Sequence, residues 1–196
     1  IGINYCSFTG QGSIRSAVIG EWNAPATAAQ IEEMKQLLDI QLEQGSRGLS
    51  CGLEYAPGAY ASREELVELL KVVAKHDGLF AIHMRNEDDR VEEAIAEAIS
   101  MSFEAGVRLQ ISHLKAQNPN NWHKGPAMLD LIEKARRDGL DIAFDRYPYI
   151  AFSTGLTTFI PLDGRQGSND DIISRLKDKT TSAEFGKYAE SRFARL

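Results

Sequence analysis

LFAIHMRNEDDRVEEAIAEAISMSFEAGVRLQISHLK, residues 79–115, decides the fold. Two short apolar runs, FAIH and LQISH, flank a stretch with helical periodicity, and each run closes on a histidine, His83 and His113. The histidines stand 30 residues apart, the length of about one strand–helix–strand unit. Adjacent parallel strands bring both imidazoles to the carboxyl end of one sheet, where parallel α/β folds bind their ligands. Neutral imidazole suits zinc, and a catalytic zinc takes about three protein ligands and leaves a position open for water. The pair therefore reads as half of a metal site. The alternative is that each histidine merely caps its own strand.

Outward from this unit, the same pattern recurs. Helical runs end in Gly45, Gly78, Gly106 and Gly139, and after them come the apolar runs SRGLSCGL, LFAIH, VRLQISH and LDIAFD. Glycine suits the left-handed turn that closes a helix, and near-continuous apolar runs suit strands covered on both faces. INYCSFTG, residues 3–10, reads as a further strand. Thr27 is placed to cap a helix running to about Glu43, with Ile31, Met34, Leu37, Leu38 and Leu42 on one face. Ser62 and Glu65 form a capping-box pattern, Asp88 or Asp89 opens the next helix, and Pro126 suits a first helical turn. Five strands alternating with four helices predict a parallel sheet with right-handed crossovers.

The fold class expected is thus α/β. Eight such units need about 240 residues, and the 196 residues here hold five units. The expectation is part of a (β/α)8 barrel of the TIM type, with a five-stranded flavodoxin-like sheet as the alternative. Residues 1–160 are assigned to the partial barrel and 161–196 to a helical excursion from it. The chain opens on IGINYCSF without methionine and closes in a helical run, so both ends look cut from a longer sequence. An incomplete barrel exposes two strand edges, which predicts a homo-oligomer through those edges or a rearranged N-terminal segment that covers the edge.

Composition excludes several classes. A net charge of −6 and the absence of a basic run argue against nucleic acid as a partner. The apolar runs are too short to cross a bilayer, and no signal-peptide pattern opens the chain, so no membrane association is expected. Two cysteines, Cys6 and Cys51, are too few for a disulfide framework, which favours a reducing, cytoplasmic setting.

Polar residues crowd three predicted strand ends. Arg85, Asn86 and Glu87 follow His83; Lys115 follows His113; Asp145, Arg146, Tyr147 and Tyr149 close the next run. Cys51, also near a strand end, is better explained as a small buried residue than as a thiolate ligand. His76 sits where a helix dipole favours a cation, and His123 lies in a loop.

Four motifs, RGLSCGLEYAPG (47–58), AIHMRNE (81–87), QISHLK (110–115) and DRYPYIAFSTGL (145–156), resemble the D-aminoacylase (N-acyl-D-amino-acid deacylase) branch of the amidohydrolase superfamily. Their order and spacing agree with that family over roughly residues 1–178. The resemblance implies strands three to seven of a metal-dependent (β/α)8 barrel that hydrolyses the amide of N-acyl-D-amino acids, small-molecule substrates. It implies His83 and His113 as ligands of one tightly bound zinc and Tyr55 as the tyrosine that polarises the scissile carbonyl. Lys115, Tyr147 and Ser153 are implied as the residues that hold the substrate carboxylate. The family's first-strand His-x-His, second-strand cysteine ligand and eighth-strand aspartate base have no counterparts in these residues. Cys51 and Asp145 lie on other strands, and Gln11 stands where relatives commonly have histidine. The resemblance therefore predicts weak zinc binding and little or no activity for this chain by itself. Other readings are a dihydroorotase- or hydantoinase-like cyclic amidase, an aldolase-type barrel with Lys115 as Schiff-base nucleophile, and a partial barrel without enzymatic activity.

Overall fold

In the computed structural model, which describes residues 2–195, five parallel strands form one sheet in chain order. They are β1 (Thr9–Gly10), β2 (Gly48–Gly52), β3 (Leu79–His83), β4 (Arg108–Ile111) and β5 (Ile142–Phe144). Between them run α1 (Gln11–Val18), α2 (Ala28–Glu43), α3 (Arg63–Lys75), α4 (Val91–Ala105) and α5 (Gly125–Arg137). Strand order settles the choice of architecture. A flavodoxin-like sheet reverses direction after its first unit; here each strand adds beside the one before it. Right-handed crossovers that always step the same way leave every helix on one face of the sheet, which is how a barrel wall is wound.

That winding corrects the expectation that both strand faces are covered by apolar packing. Leu49, Cys51, Phe80, Ile82, Leu109, Ile111 and Ile142 point to the helices and are buried. The alternate positions carry small or polar residues, and Ser50, Ala81, Gln110 and Ala143 pair in one row across four strands. The helices meet the apolar face through Met34, Leu38 and Leu42 of α2, Leu66, Leu69, Leu70 and Val73 of α3, and Ile95, Ala98 and Met101 of α4. Fully burying one such side chain contributes about 1.5–3 kcal/mol.

Local signals place the ends of the helices. Thr27 and Gln30 form a reciprocal capping box on α2, and Ser62 accepts from the Glu65 backbone N–H on α3. The Glu65 side chain does not complete its box. It turns inward, where Arg15 of α1 pairs with it and Gln11 donates to it at 3.1 Å, all three side chains fully buried. Neither Asp88 nor Asp89 caps α4: its N-cap is Arg90, without a side-chain cap hydrogen bond, and Asn86 Oδ1 holds the preceding turn by accepting from the backbone N–H groups of Asp88 and Arg90. Pro126 lies in the first turn of α5, as expected.

Several details differ from the sequence reading. Of INYCSFTG, only Thr9 and Gly10 pair as strand. The helix α1 follows directly, although QGSIRSAV carries glycine and two serines. Gly45, Gly106 and Gly139 have positive φ, but at the second of the four helix ends Asp77 takes the left-handed turn and Gly78 does not. Gly78 is needed for space instead, since a Cβ there would lie 2.7 Å from Val73 Cγ1. His76 does more than face the helix dipole: its Nε2 lies 2.7 Å from Asp39 Oδ1 on α2.

Beyond β5 the chain runs through short 3-10 turns into α6 (Asn169–Lys177) and α7 (Lys179–Phe193). Arg165, buried, donates to the carbonyls of Glu54, Thr158 and Ile160 and so ties this segment to the loop after β2. Phe185 packs over Gly164, Phe193 stacks on Phe159 at 4.4 Å, and α7 thereby lies against the carboxyl end of the sheet. No described helix is long and apolar enough to cross a membrane.

Candidate metal centre

His83 is the last residue of β3, and its side chain leaves the sheet on the polar face at the carboxyl end. His113 arrives differently. In register, Ile82 pairs with Ile111, so the residue opposite His83 is Ser112, and a continuing strand would turn His113 to the helix side. Instead His113 has a φ of 41°, in the left-handed region, which costs a non-glycine residue about 1–2 kcal/mol. Asp145 holds the turn by accepting from the His113 backbone N–H at 2.7 Å and the Gln110 side chain at 2.8 Å. The kink brings His113 Nε2 to 3.1 Å from His83 Nδ1.

Two nitrogens bound at about 2.05 Å to one tetrahedral ion lie about 3.3 Å apart, so the observed separation suits a shared metal. The far nitrogens point to carboxylates. His83 Nε2 lies 3.1 Å from Glu54 Oε2, and His113 Nδ1 lies 3.0 Å from Glu87 Oε1. Glu87 is 2 % exposed, yet this Oε1 has no hydrogen-bond partner of acceptable geometry. A buried carboxylate oxygen left so is costly and is available to a cation. Nitrogen and oxygen atoms of His83, Glu87 and His113 all lie within 4.8 Å of one another. By geometry and donor type these residues fit a divalent metal.

The group lines a cavity of about 300 Å³. Each of the other sequence-predicted site residues, Tyr55, Lys115, Tyr147 and Ser153, lines the same cavity. The Tyr55 ring lies 4.7 Å from the His83 ring, and its hydroxyl is 3.4 Å from Thr154 Oγ1. Burial, with the charges of Glu54 and Glu87, pushes the Tyr55 phenol above its ordinary pKa, so it stays protonated as a hydrogen-bond donor. Burial likewise raises Tyr147, over whose ring Lys115 Nζ sits at 5.8 Å from the centroid. Lys115 also pairs with Glu87.

Other residues near the histidines go elsewhere. Arg85 turns to Glu97 and to the Ala59 and Ala61 carbonyls, Asn86 holds the turn ahead of α4, and His123 is exposed in a turn. Cys51 is buried among apolar neighbours, with its thiol pushed well up by desolvation. Gln11 lies between α1 and α3, away from the cavity.

Two residues of the site escaped the sequence reading. Glu54 adjoins Tyr55, and its carboxyl pKa is held down. Burial would raise it, but the hydrogen bonds and charges of His83 and Arg192 outweigh burial. Arg192, on α7, donates to Glu54 Oε1 at 3.1 Å from 138 residues away, a link that no local pattern announces.

No protein-family model matches the chain. It is 38% identical over 170 residues to the N-acyl-D-glutamate deacylase of Alcaligenes xylosoxydans xylosoxydans, covering 87% of this chain and 34% of that protein. It is 33% identical over 154 residues to the D-aminoacylase of the same organism, covering 79% and 32%. The crystal structure of N-acyl-D-glutamate deacylase from Bordetella bronchiseptica superposes with a TM-score of 0.73 at 38% identity, over 75% of this chain and 31% of that one. That enzyme was crystallised with zinc and a phosphonate that mimics the tetrahedral intermediate of its reaction. A D-aminoacylase crystal structure gives a TM-score of 0.72 at 35% identity, over the same shares. The chain spans about a third of the length of the curated relatives it matches. Over that third its sequence and its barrel wall are similar to those of the D-aminoacylases and N-acyl-D-glutamate deacylases.

Proposed function

We propose that this chain is the metal-binding and substrate-facing arc of a zinc-dependent hydrolase that removes the acyl group from N-acyl-D-amino acids. The observation that carries the reading is the facing pair His83 Nδ1 and His113 Nε2, 3.1 Å apart, beside the buried Glu87 carboxylate at the barrel mouth. Similarity to deacylases of N-acyl-D-glutamate, N-acyl-D-aspartate and other D-amino acids supports the substrate class.

In this reading His83 and His113, with Glu87 alongside, hold zinc. Bound zinc supplies Lewis acidity to a carbonyl oxygen and lowers the pKa of water. The rest is the work of the chain's own side chains. Tyr55, kept protonated, donates a hydrogen bond to the amide carbonyl oxygen, which gains negative charge as the amide is attacked. Lys115 presents a point charge to the substrate carboxylate, with Tyr147 beneath its ammonium and Ser153 on the same wall adding contacts. The buried Glu87 carboxylate holds Lys115 in position until that carboxylate arrives.

The remaining assignments belong to the same reading. The exposed Cys6 and buried Cys51, both free thiols, support a reducing, cytoplasmic setting. Residues 161–196 are read as an excursion from the barrel, a reading supported by Arg165 and Arg192, which bind Glu54 at the barrel mouth. The β1 and β5 edges are where a further strand adds, from the same chain or from a second copy.

Equilibrium dialysis against zinc tests the centre. The chain is expected to bind one zinc and to lose it in both His83→Ala and His113→Ala; unchanged binding in both variants would overturn the assignment. For the reaction, the full-length protein is expected to release acetate from N-acetyl-D-amino acids and not from their L-enantiomers. Turnover of cyclic amides instead would move it to the hydantoinase class.

A further inference from the structure

The metal assignment leaves one part of the cavity without a role: a carboxylate on the far side of one histidine and the arginine that binds that carboxylate. Glu54 stands in the loop after β2, its side chain only 17% exposed, and places Oε2 at 3.1 Å from His83 Nε2. Its other oxygen accepts from Arg192 on α7 at 3.1 Å. Arg192 also lies 3.7 Å from Asp88, so the guanidinium is braced between two acids. A neutral imidazole carries one proton, and the carboxylate can only accept. The proton on His83 is therefore drawn to Nε2, and the lone pair is left on Nδ1, the nitrogen that faces His113.

We propose that Glu54 is a positioning residue that fixes His83 in its Nε2–H tautomer and offers Nδ1 to the metal, and that Arg192 of α7 anchors Glu54 in that pose. This rests on His83 being a metal ligand, but the tautomer itself needs no metal. The excursion beyond β5 thereby joins the metal site through one arginine, without contributing a ligand. An imidazole that must shift its proton before ligating binds more weakly, and loss of such an outer carboxylate typically costs about 10–100-fold in metal affinity.

The experiment compares the chain with E54L, E54Q and R192Q by two readouts. The first is the nitrogen chemical shifts of His83 in the metal-free, isotope-labelled chain, which report the tautomer directly. The second is the zinc dissociation constant from competition with a chromophoric chelator. The wild type is expected to show the Nε2–H form. E54L should shift His83 toward a mixture and lose about 10–100-fold in zinc affinity. E54Q, which keeps an acceptor oxygen, should retain most of both. R192Q should fall between wild type and E54L, and it keeps the proposal open to test if E54L fails to fold. An unchanged tautomer in E54L, or in R192Q together with unchanged zinc affinity, overturns the proposal. If the wild type shows the Nε2–H form and binds no zinc, the metal reading fails while the role of Glu54 toward His83 stands.

Discussion

On the helix side of the sheet, Leu49, Phe80, Ile82, Leu109 and Ile111 are closed off from solvent within one apolar core. On the opposite side, one residue along each strand, the row Ser50, Ala81, Gln110 and Ala143 leads up to a mouth crowded with His83, Glu87, His113 and Lys115. The same five strands thus carry stability on one face and chemistry on the other. A parallel strand alternates its side chains, so one substitution tests one face at a time. Stability should follow the outer face and zinc affinity the mouth.

The largest effect belongs to the outer face. Phe80 is fully buried at the centre of the core, and Phe80→Ala should cost about 3–5 kcal/mol in urea unfolding. The molecules that remain folded should bind zinc as before. A loss of zinc affinity at full folding would mean that the two faces are coupled through β3. Nearly as large is the cost of opening the buried Arg15–Glu65 pair. Glu65→Leu strands an uncompensated guanidinium and should cost about 3–5 kcal/mol, much of it recovered when Arg15→Met is added. If the double variant is no better than the single, the pair does more than neutralise itself.

At the mouth the sign changes. His113 is held at a φ of 41°, a conformation glycine adopts without the side-chain clash. His113→Gly should leave stability within about 1 kcal/mol of the parent, since relief of strain offsets the extra freedom of the unfolded chain. Zinc binding should be lost. A large destabilisation would show that the imidazole braces the Glu87–Lys115 pair as well as facing His83, and the division between faces would have to be redrawn there.

The sequence made one side of this division easy to read. Apolar runs of strand length, glycines at helix ends and the capping residues Thr27 and Ser62 are local signals, and they located β2 to β5 with their helices. The 30-residue interval between His83 and His113 was legible for the same reason, since it is set by the length of a βα unit. What stayed hidden depends on distant partners. That Glu65 turns inward depends on Arg15, 50 residues away, and Glu54 becomes part of the site through Arg192. Glu87 stands four residues after His83, where its proximity was visible but its burial was not. The inner face was misread because Ala81 and Ala143 are apolar by type while serving only as small wall residues. The eight-residue α1 escaped because its glycine and serines weaken the helical signal, and its stability comes from Ile14 and Arg15 packing against the rest of the barrel.

The smallest expected effect gives the sharpest test of closure. Cys51 lies on the outer face of β2, 5% exposed, while Cys6 is exposed ahead of β1. Alkylation requires the thiolate, and desolvation of Cys51 pushes its thiol well above the ordinary range. Iodoacetamide at neutral pH should therefore label the native chain once, at Cys6, and the urea-unfolded chain twice, as read by intact mass and peptide mapping. The result should not depend on zinc, because Cys51 faces the helices and not the cavity. Native labelling of Cys51 at the rate of Cys6 would mean that the helix layer over β2 opens readily. Protection of Cys51 that appeared only with zinc would instead tie this thiol to the metal centre, contrary to its position on the strand.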